Sequence, residues 1–259
     1  MAVLLVFSAL LGLAVGSFLN VVAHRVPAGI SLSSPPSRCP ACSTPIRARH
    51  NIPVFGWFVL RGRCASCGEP ISVRYPVVEA LTGVLFVLVA WRLSTDIWAL
   101  PAYLYFTAAG IALALIDLDH RRLPNSIVLP SYPVSAALLT LAAAGSGDWS
   151  ALLRAGIGAV ALFAFYLLLV LAYPAGMGWG DVKLAGVIGM VLGYLSWSAL
   201  LIGAFGGFAL GAVAGVAVIA IREGSRKTAL PFGPFMIAGV FVALFFADPL
   251  ADFYVNTFL

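Results

Sequence analysis

Two short stretches of this 259-residue chain place carboxylates where a charge is costly. One is Ile116-Asp117-Leu118-Asp119-His120-Arg121-Arg122-Leu123-Pro124-Asn125, which closes an apolar run. The other is Gly178-Trp179-Gly180-Asp181, which opens another, with Lys183 two residues on. Ionisable groups within or beside membrane-spanning helices are expensive and read as functional candidates. Two carboxylates held close together do not readily both ionise, so one acts as general base on a water while its protonated partner polarises a peptide carbonyl. That is the chemistry of an aspartic protease, which needs neither a metal nor a covalent intermediate. The glycines at 178 and 180 open backbone angles closed to other residues and let a substrate chain approach. Blander readings compete: Asp181 as a helix cap accepting backbone N–H groups, and Asp117 or Asp119 paired with Arg121 or Arg122. A proton-coupled transporter would use the same paired acids, broken helices and glycines, and is the rival function.

A second chemistry lies near the N-terminus. All four cysteines fall in one segment, Cys39-Pro-Ala-Cys42 and then Cys64-Ala-Ser-Cys67, with twenty-one residues between the pairs. Two such pairs supply four thiolates to one tetrahedral Zn²⁺, and a site with four sulfur ligands leaves no open position for water, so the expected role is structural. The alternative is disulfides or free thiols; a reducing compartment disfavours disulfides. A short polar loop lacks a core of its own, and a bound metal would hold it folded.

The elements that must position these groups follow from composition. Hydrophobic residues make up 62% of the chain and charged residues 10%, against about 25% charged in soluble domains, so this is an integral membrane protein. Apolar runs at 1–22, 77–91, 99–116, 126–144, 150–172, 184–195, 198–221 and 234–250 predict about eight spanning helices in an all-α, polytopic fold. The sixth run is short, and it is expected either to start inside the membrane or to merge with its neighbour. The division expected is a first span over 1–23, a cytoplasmic four-cysteine loop over 24–76 and a seven-helix core over 77–259. No cleavable signal is expected at Met1–Val22.

Of the fifteen basic residues, all but Arg92 and Arg154 fall on one side of this topology. The positive-inside bias makes that side the cytoplasm and places both termini outside. Both acid stretches then meet at the cytoplasmic boundary. The net charge of +5 is explained by topology, with no nucleic-acid partner implied; the loop arginines are expected either to meet lipid phosphate or to be solvated.

Several segments in order resemble the bacterial type IV prepilin peptidases, membrane aspartic proteases of the G-x-G-D type. These are Gly16-Ser17-Phe18-Leu19-Asn20-Val21-Val22-Ala23-His24-Arg25-Val26-Pro27, the cysteine pairs, Pro70-Ile71-Ser72-Val73-Arg74-Tyr75-Pro76-Val77-Val78-Glu79, the two acid stretches, and Pro231-Phe232-Gly233-Pro234-Phe235. The resemblance implies Asp117 and Asp181 as the catalytic pair, with Asp119 a supporting acid; Gly178 and Gly180 are expected to make room for the substrate, Pro231 and Gly233 to line the site in a rigid turn, and Lys183 to support it as a topological anchor. It implies prepilin or pseudopilin substrates with basic leaders, cut at the cytoplasmic face of the inner membrane. It also implies a second activity, N-methylation of the new N-terminus from S-adenosylmethionine. Glu79 is the candidate for that chemistry or for gripping the new amine, the alternative being an ion pair with Arg74 or Arg25.

Overall fold

The computed structural model describes residues 1–174, 177–222 and 230–258. Arg226 and Lys227, counted in the charge bias, lie outside them. Nine α-helices are present among the described residues: α1 (Ala2–Arg25), α2 (Phe55–Val59), α3 (Arg74–Arg92), α4 (Leu100–His120), α5 (Asn125–Ser146), α6 (Trp149–Ala172), α7 (Trp179–Leu195), α8 (Trp197–Arg222) and α9 (Gly233–Phe258). All except α2 coincide with an expected span. Seven of them are long and apolar enough to cross a membrane. This is an all-α, multi-pass architecture, and no strand occurs among the described residues.

The chain divides into two compact units, Met1–Ser94 and Thr95–Leu259. In the first, α1 and α3 lie against each other as a helical pair. Gly12 and Gly16 make this close, because a Cβ at either would fall 2.8 Å from an α3 Cα, that of Gly83 or of Glu79. Small residues at such crossings let backbones approach where lipid offers no hydrophobic drive between helices. The cysteine loop and the short α2 sit between the two helices in sequence.

In the second unit α7 is the central element, packed by α4, α5, α6, α8 and α9. It is the short sixth span, and its 17 residues explain themselves by burial: from Val182 to Tyr194 only Lys183 and Met190 are not buried. A helix wrapped by others needs no lipid-facing side. Gly158 of α6 and Gly189 of α7 press backbone to backbone, and a Cβ on either would strike the other's carbonyl. The Tyr103 hydroxyl on α4 donates to the Val191 carbonyl at 2.7 Å. Helix α7 does not merge with α8. Ser196 is fully extended (φ −169°, ψ 168°), and its hydroxyl accepts the Ala199 N–H at 3.0 Å, capping α8.

Arg154, an exception to the charge bias, has a structural use. Its Nε donates to the Gly193 carbonyl at 2.7 Å, and its Nη2 donates to Tyr194 and Leu195 at 2.8 and 3.2 Å. These are the last carbonyls of α7, which lack partners within their own helix. Arg154→Met is expected to cost about 2–3 kcal/mol, the scale of hydrogen bonds to a charged group, read as a lower midpoint in detergent unfolding. A midpoint unchanged within error would show the cap to be idle.

Candidate active site and metal centre

Asp117 sits in the last turn of α4 and is 5% exposed. Its Oδ2 accepts the backbone N–H of Gly233 at 3.0 Å, a contact spanning 116 residues of sequence. Asp181 lies in the first turn of α7 and is 9% exposed. Its Oδ2 accepts the Gly178 N–H at 3.1 Å. Each carboxylate is thus anchored through one oxygen to a glycine N–H, while the other oxygen takes no hydrogen bond among the described residues. The pairing of Asp117 with Arg121 or Arg122 is absent there. Capping does hold for Asp181, but it occupies only one oxygen.

Leu123 brings the two sites together. Helix α4 ends on Arg121 in the left-handed region (φ 52°, ψ 44°), and the chain turns through Leu123 and Pro124 into α5. The Leu123 side chain fills the space beside both flanking glycines. A Cβ on Gly180 would lie 3.0 Å from the Leu123 Cβ, and one on Gly233 3.2 Å from its Cδ2. A Cβ on Gly233 would also fall 2.9 Å from Asp117 Oδ2. The glycines that border both acids therefore converge on one leucine, and the two carboxylates lie within reach of each other's charge.

The other expected site residues are also placed. Gly178 is the residue before α7 in an extended conformation, and Pro231 precedes the turn into α9. Asp119 is exposed at the end of α4. Lys183, expected only as a supporting residue, donates from Nζ to Asn125 Oδ1 at 3.0 Å, and its carbonyl accepts the Tyr132 hydroxyl at 2.6 Å. It ties the start of α7 to α5.

Leu123 and Tyr166 were not singled out by the sequence. Tyr166, on α6, is 1% exposed and within reach of the Asp181 charge. Its ring is stacked in a cluster with Phe208 and with Phe232, the neighbour of Gly233, at centroid distances of 5.4 and 6.4 Å. Its hydroxyl makes no hydrogen bond among the described residues. A tyrosine in a run that otherwise reads as apolar carried one available signal, its polar tip, since a buried Tyr O–H usually finds a partner.

In the first unit, the four cysteines assemble into one cluster with all sulfurs within 4.8 Å of one another. Cys39 and Cys67 are 3.8 Å apart, and Cys42 and Cys64 are 4.0 Å apart. Four sulfurs about 2.3 Å from a zinc stand about 3.8 Å apart, whereas a disulfide brings sulfurs to about 2.05 Å. The cluster can hold a metal ion. Each pair is carried on the same turn. The Cys39 N–H donates to the Thr44 carbonyl at 3.0 Å and the Cys64 N–H to Glu69 at 2.8 Å, while Ser43 and Gly68 N–H return to Cys39 and Cys64. Ser43 and Gly68 both have positive φ, 57° and 74°. Paired bridges, Arg38 to Pro45 and Arg63 to Pro70, close both turns. A hydrogen bond with Thr44 pulls the Cys42 thiol down to about 6, which favours the thiolate that a soft metal needs.

Glu79, on α3, is 9% exposed. Its Oε2 accepts the Val54 N–H at 2.6 Å. Neither expected arginine pairs with it among the described residues. Arg25 instead reaches the carbonyls of Ser31, Leu32 and Pro35.

Fold and site together define an α-helical membrane protein with a pair of buried aspartates at helix ends and a four-cysteine cluster able to hold a metal ion. Residues 10–93 match the profile of the bacterial peptidase A24 N-terminal domain, and residues 104–216 match the type IV leader peptidase family. The chain is 36% identical to the prepilin leader peptidase/N-methyltransferase of Stutzerimonas stutzeri, over 95% of this chain and 92% of that one. It is 39% identical to the protein of that name from Neisseria gonorrhoeae, over 88% and 85%, and 36% identical to that of Aeromonas hydrophila, over 96% and 93%. The chain belongs to the type IV leader peptidase family. No solved structure matches it. The transporter alternative finds no support in these similarities.

Proposed function

We propose that the chain is an aspartic endopeptidase that removes the leader of type IV prepilins or pseudopilins, with Asp117 and Asp181 as its catalytic pair. The observation that carries the assignment is the matched state of the two acids: both are buried, both are held through one oxygen by a glycine N–H, and both leave the other oxygen open. The ionised member takes a proton from the attacking water, and the protonated member gives one to the substrate carbonyl oxygen. Gly180 and Gly233 make room for Leu123, and Gly233 also for the Asp117 carboxylate; Gly178 and Pro231 flank the two turns, Lys183 fixes the start of α7, and Asp119 is a supporting acid. The charge bias of the loops supports the cytoplasmic face of the inner membrane as the place of cleavage and the outside for both termini. A basic leader and anionic lipid are the partners that fit this placement.

The Tyr166 hydroxyl has no hydrogen-bond partner among the described residues and lies within reach of the Asp181 charge, suited to hold the substrate backbone or the water. Tyr166→Phe deletes only that oxygen and keeps the ring cluster, so a drop in kcat of about ten- to a hundredfold is expected with an unchanged unfolding midpoint. Processing within twofold of the unaltered protein would remove Tyr166 from the site.

The cysteine cluster fits structural Zn²⁺ by its sulfur spacing and its four soft ligands. For the second activity, S-adenosylmethionine supplies a methyl group on a sulfonium. Nothing among the described residues resembles a nucleotide-binding strand and glycine turn, and Glu79 is the first unit's buried carboxylate available to such chemistry. Incubation of purified protein with a prepilin, read by mass with and without S-adenosylmethionine, tests both activities. Loss of the leader and gain of one methyl group are expected; an intact prepilin together with proton flux in vesicles would overturn the reading in favour of transport.

A further inference from the structure

The first unit contains eight arginines, Arg25, Arg38, Arg47, Arg49, Arg61, Arg63, Arg74 and Arg92, and only two acids, Glu69 and Glu79. Glu79 is buried, yet none of those eight pairs with it among the described residues. Its only hydrogen bond there is the one from the Val54 N–H, to Oε2. Oε1 accepts nothing among the described residues. A carboxylate enclosed by protein with no counter-charge beside it is suited to a cation that arrives from elsewhere.

Asn20 faces the same place. It is 9% exposed, and its Nδ2 donates to the Gly16 carbonyl on its own helix at 3.3 Å and to the Tyr75 carbonyl on α3 at 3.2 Å. Its Oδ1 is left without a donor among the described residues. The packing of α1 on α3 sets the two side chains leaning toward neighbouring levels. Helical side chains lean toward their own N-terminus, and α1 and α3 run in opposite directions. Gly16 lies against the Glu79 backbone, while Asn20, one turn beyond, meets Tyr75, one turn before Glu79. Glu79 therefore leans toward the level of Asn20, and Asn20 toward the level of Glu79.

The third member of the cluster is the turn that Glu79 holds. Val54 has φ 63° and ψ −55°, and the Phe55 N–H donates to the Pro53 carbonyl at 2.7 Å. This is a γ-turn of the rare, strained hand, borne by a β-branched residue for which positive φ is a true outlier. The carboxylate anchors that backbone through one oxygen and keeps the other free.

We propose that Glu79 and Asn20 form a binding site for an alkylammonium group of the peptide substrate, with Glu79 Oε1 and Asn20 Oδ1 accepting two of its N–H donors. Ammonium carries the missing positive charge and three donors. Two sources offer this chemistry, a lysine of the basic leader and the α-amine exposed by cleavage. The choice of peptide rests on the leader peptidase reading; the presence of an ammonium site does not.

Binding of four peptides to the full-length protein in nanodiscs tests this: a lysine-containing leader and a mature N-terminal segment, each with its amines free or acetylated. Acetylation is expected to weaken at least one pair tenfold or more, and the pair affected identifies the source. Glu79→Gln keeps an acceptor for the Val54 N–H and is expected to bind free and acetylated forms alike, with its unfolding midpoint and metal content as checks on its fold. Acetylation changing neither affinity by more than twofold in the unaltered protein would overturn the site, and that arm stands even where the variant does not fold. Discrimination retained in a folded Glu79→Gln would overturn it as well. Prepilin cleavage without amine discrimination refutes the site and leaves the peptidase reading intact, whereas discrimination without cleavage does the reverse.

Discussion

Asparagine in place of Asp117, or separately of Asp181, is expected to lower prepilin cleavage by at least about a thousandfold, within the range of one acid–base role, while the protein still inserts and unfolds at a similar midpoint. The substitution conserves volume and keeps an oxygen able to accept the Gly233 or Gly178 N–H, so the anchoring of each side chain is preserved. What is removed is the ability to carry and release a proton. Because the two carboxylates act as a unit, the double variant is expected to be little worse than either single one. The measurement is the rate of leader loss by mass. Substantial processing by either single variant would exclude that residue from the pair, and equal loss with Asp119→Asn would require a third acid.

The second large effect concerns the metal. Purified protein is expected to carry about one zinc per chain, and Cys42→Ser or Cys67→Ser to lose it together with the order of residues 38–70, read as protease sensitivity of that loop. Structural zinc supplies the folding free energy of modules this small, and between the cysteine pairs only Gly56 and Gly62 join Cys39 as buried residues. Retention is expected to fall with acid. Thiolates bind the metal and thiols do not, so protons compete with it as the pH drops. Metal-free protein with four oxidised thiols would overturn the site.

Much of the fold is legible in the sequence because spans are set by local properties. Runs of apolar residues, the glycines before Asp181 and the paired cysteine spacing each carry their meaning within a few residues. The contacts that make a site of them are of another kind. That the Gly233 N–H meets Asp117, or that Leu123 fills the space beside both Gly180 and Gly233, follows from how distant helices pack, and no periodicity records it. Glu79 shows the same limit. Its burial beside α1 could be suspected from a charged residue at the start of a span, but its partner, the Val54 N–H, depends on a strained turn that a Pro-Val-Phe sequence does not announce. The short sixth span was ambiguous because hydropathy measures contact with lipid, and α7 has been enclosed by protein instead.

That enclosure gives α7 the character of a gauge block. One end is gripped by Arg154, the other by Lys183 against Asn125 and by Tyr132, and the helix between them is packed too closely to slide. The depth and bearing of Asp181 are therefore set by the count of residues from there to Leu195. One residue added within α7 would advance its start by about 1.5 Å and turn it by about 100°, carrying Gly180 off Leu123 and the carboxylate away from the charge of Asp117 while every hydrophobic side chain still found an apolar neighbour.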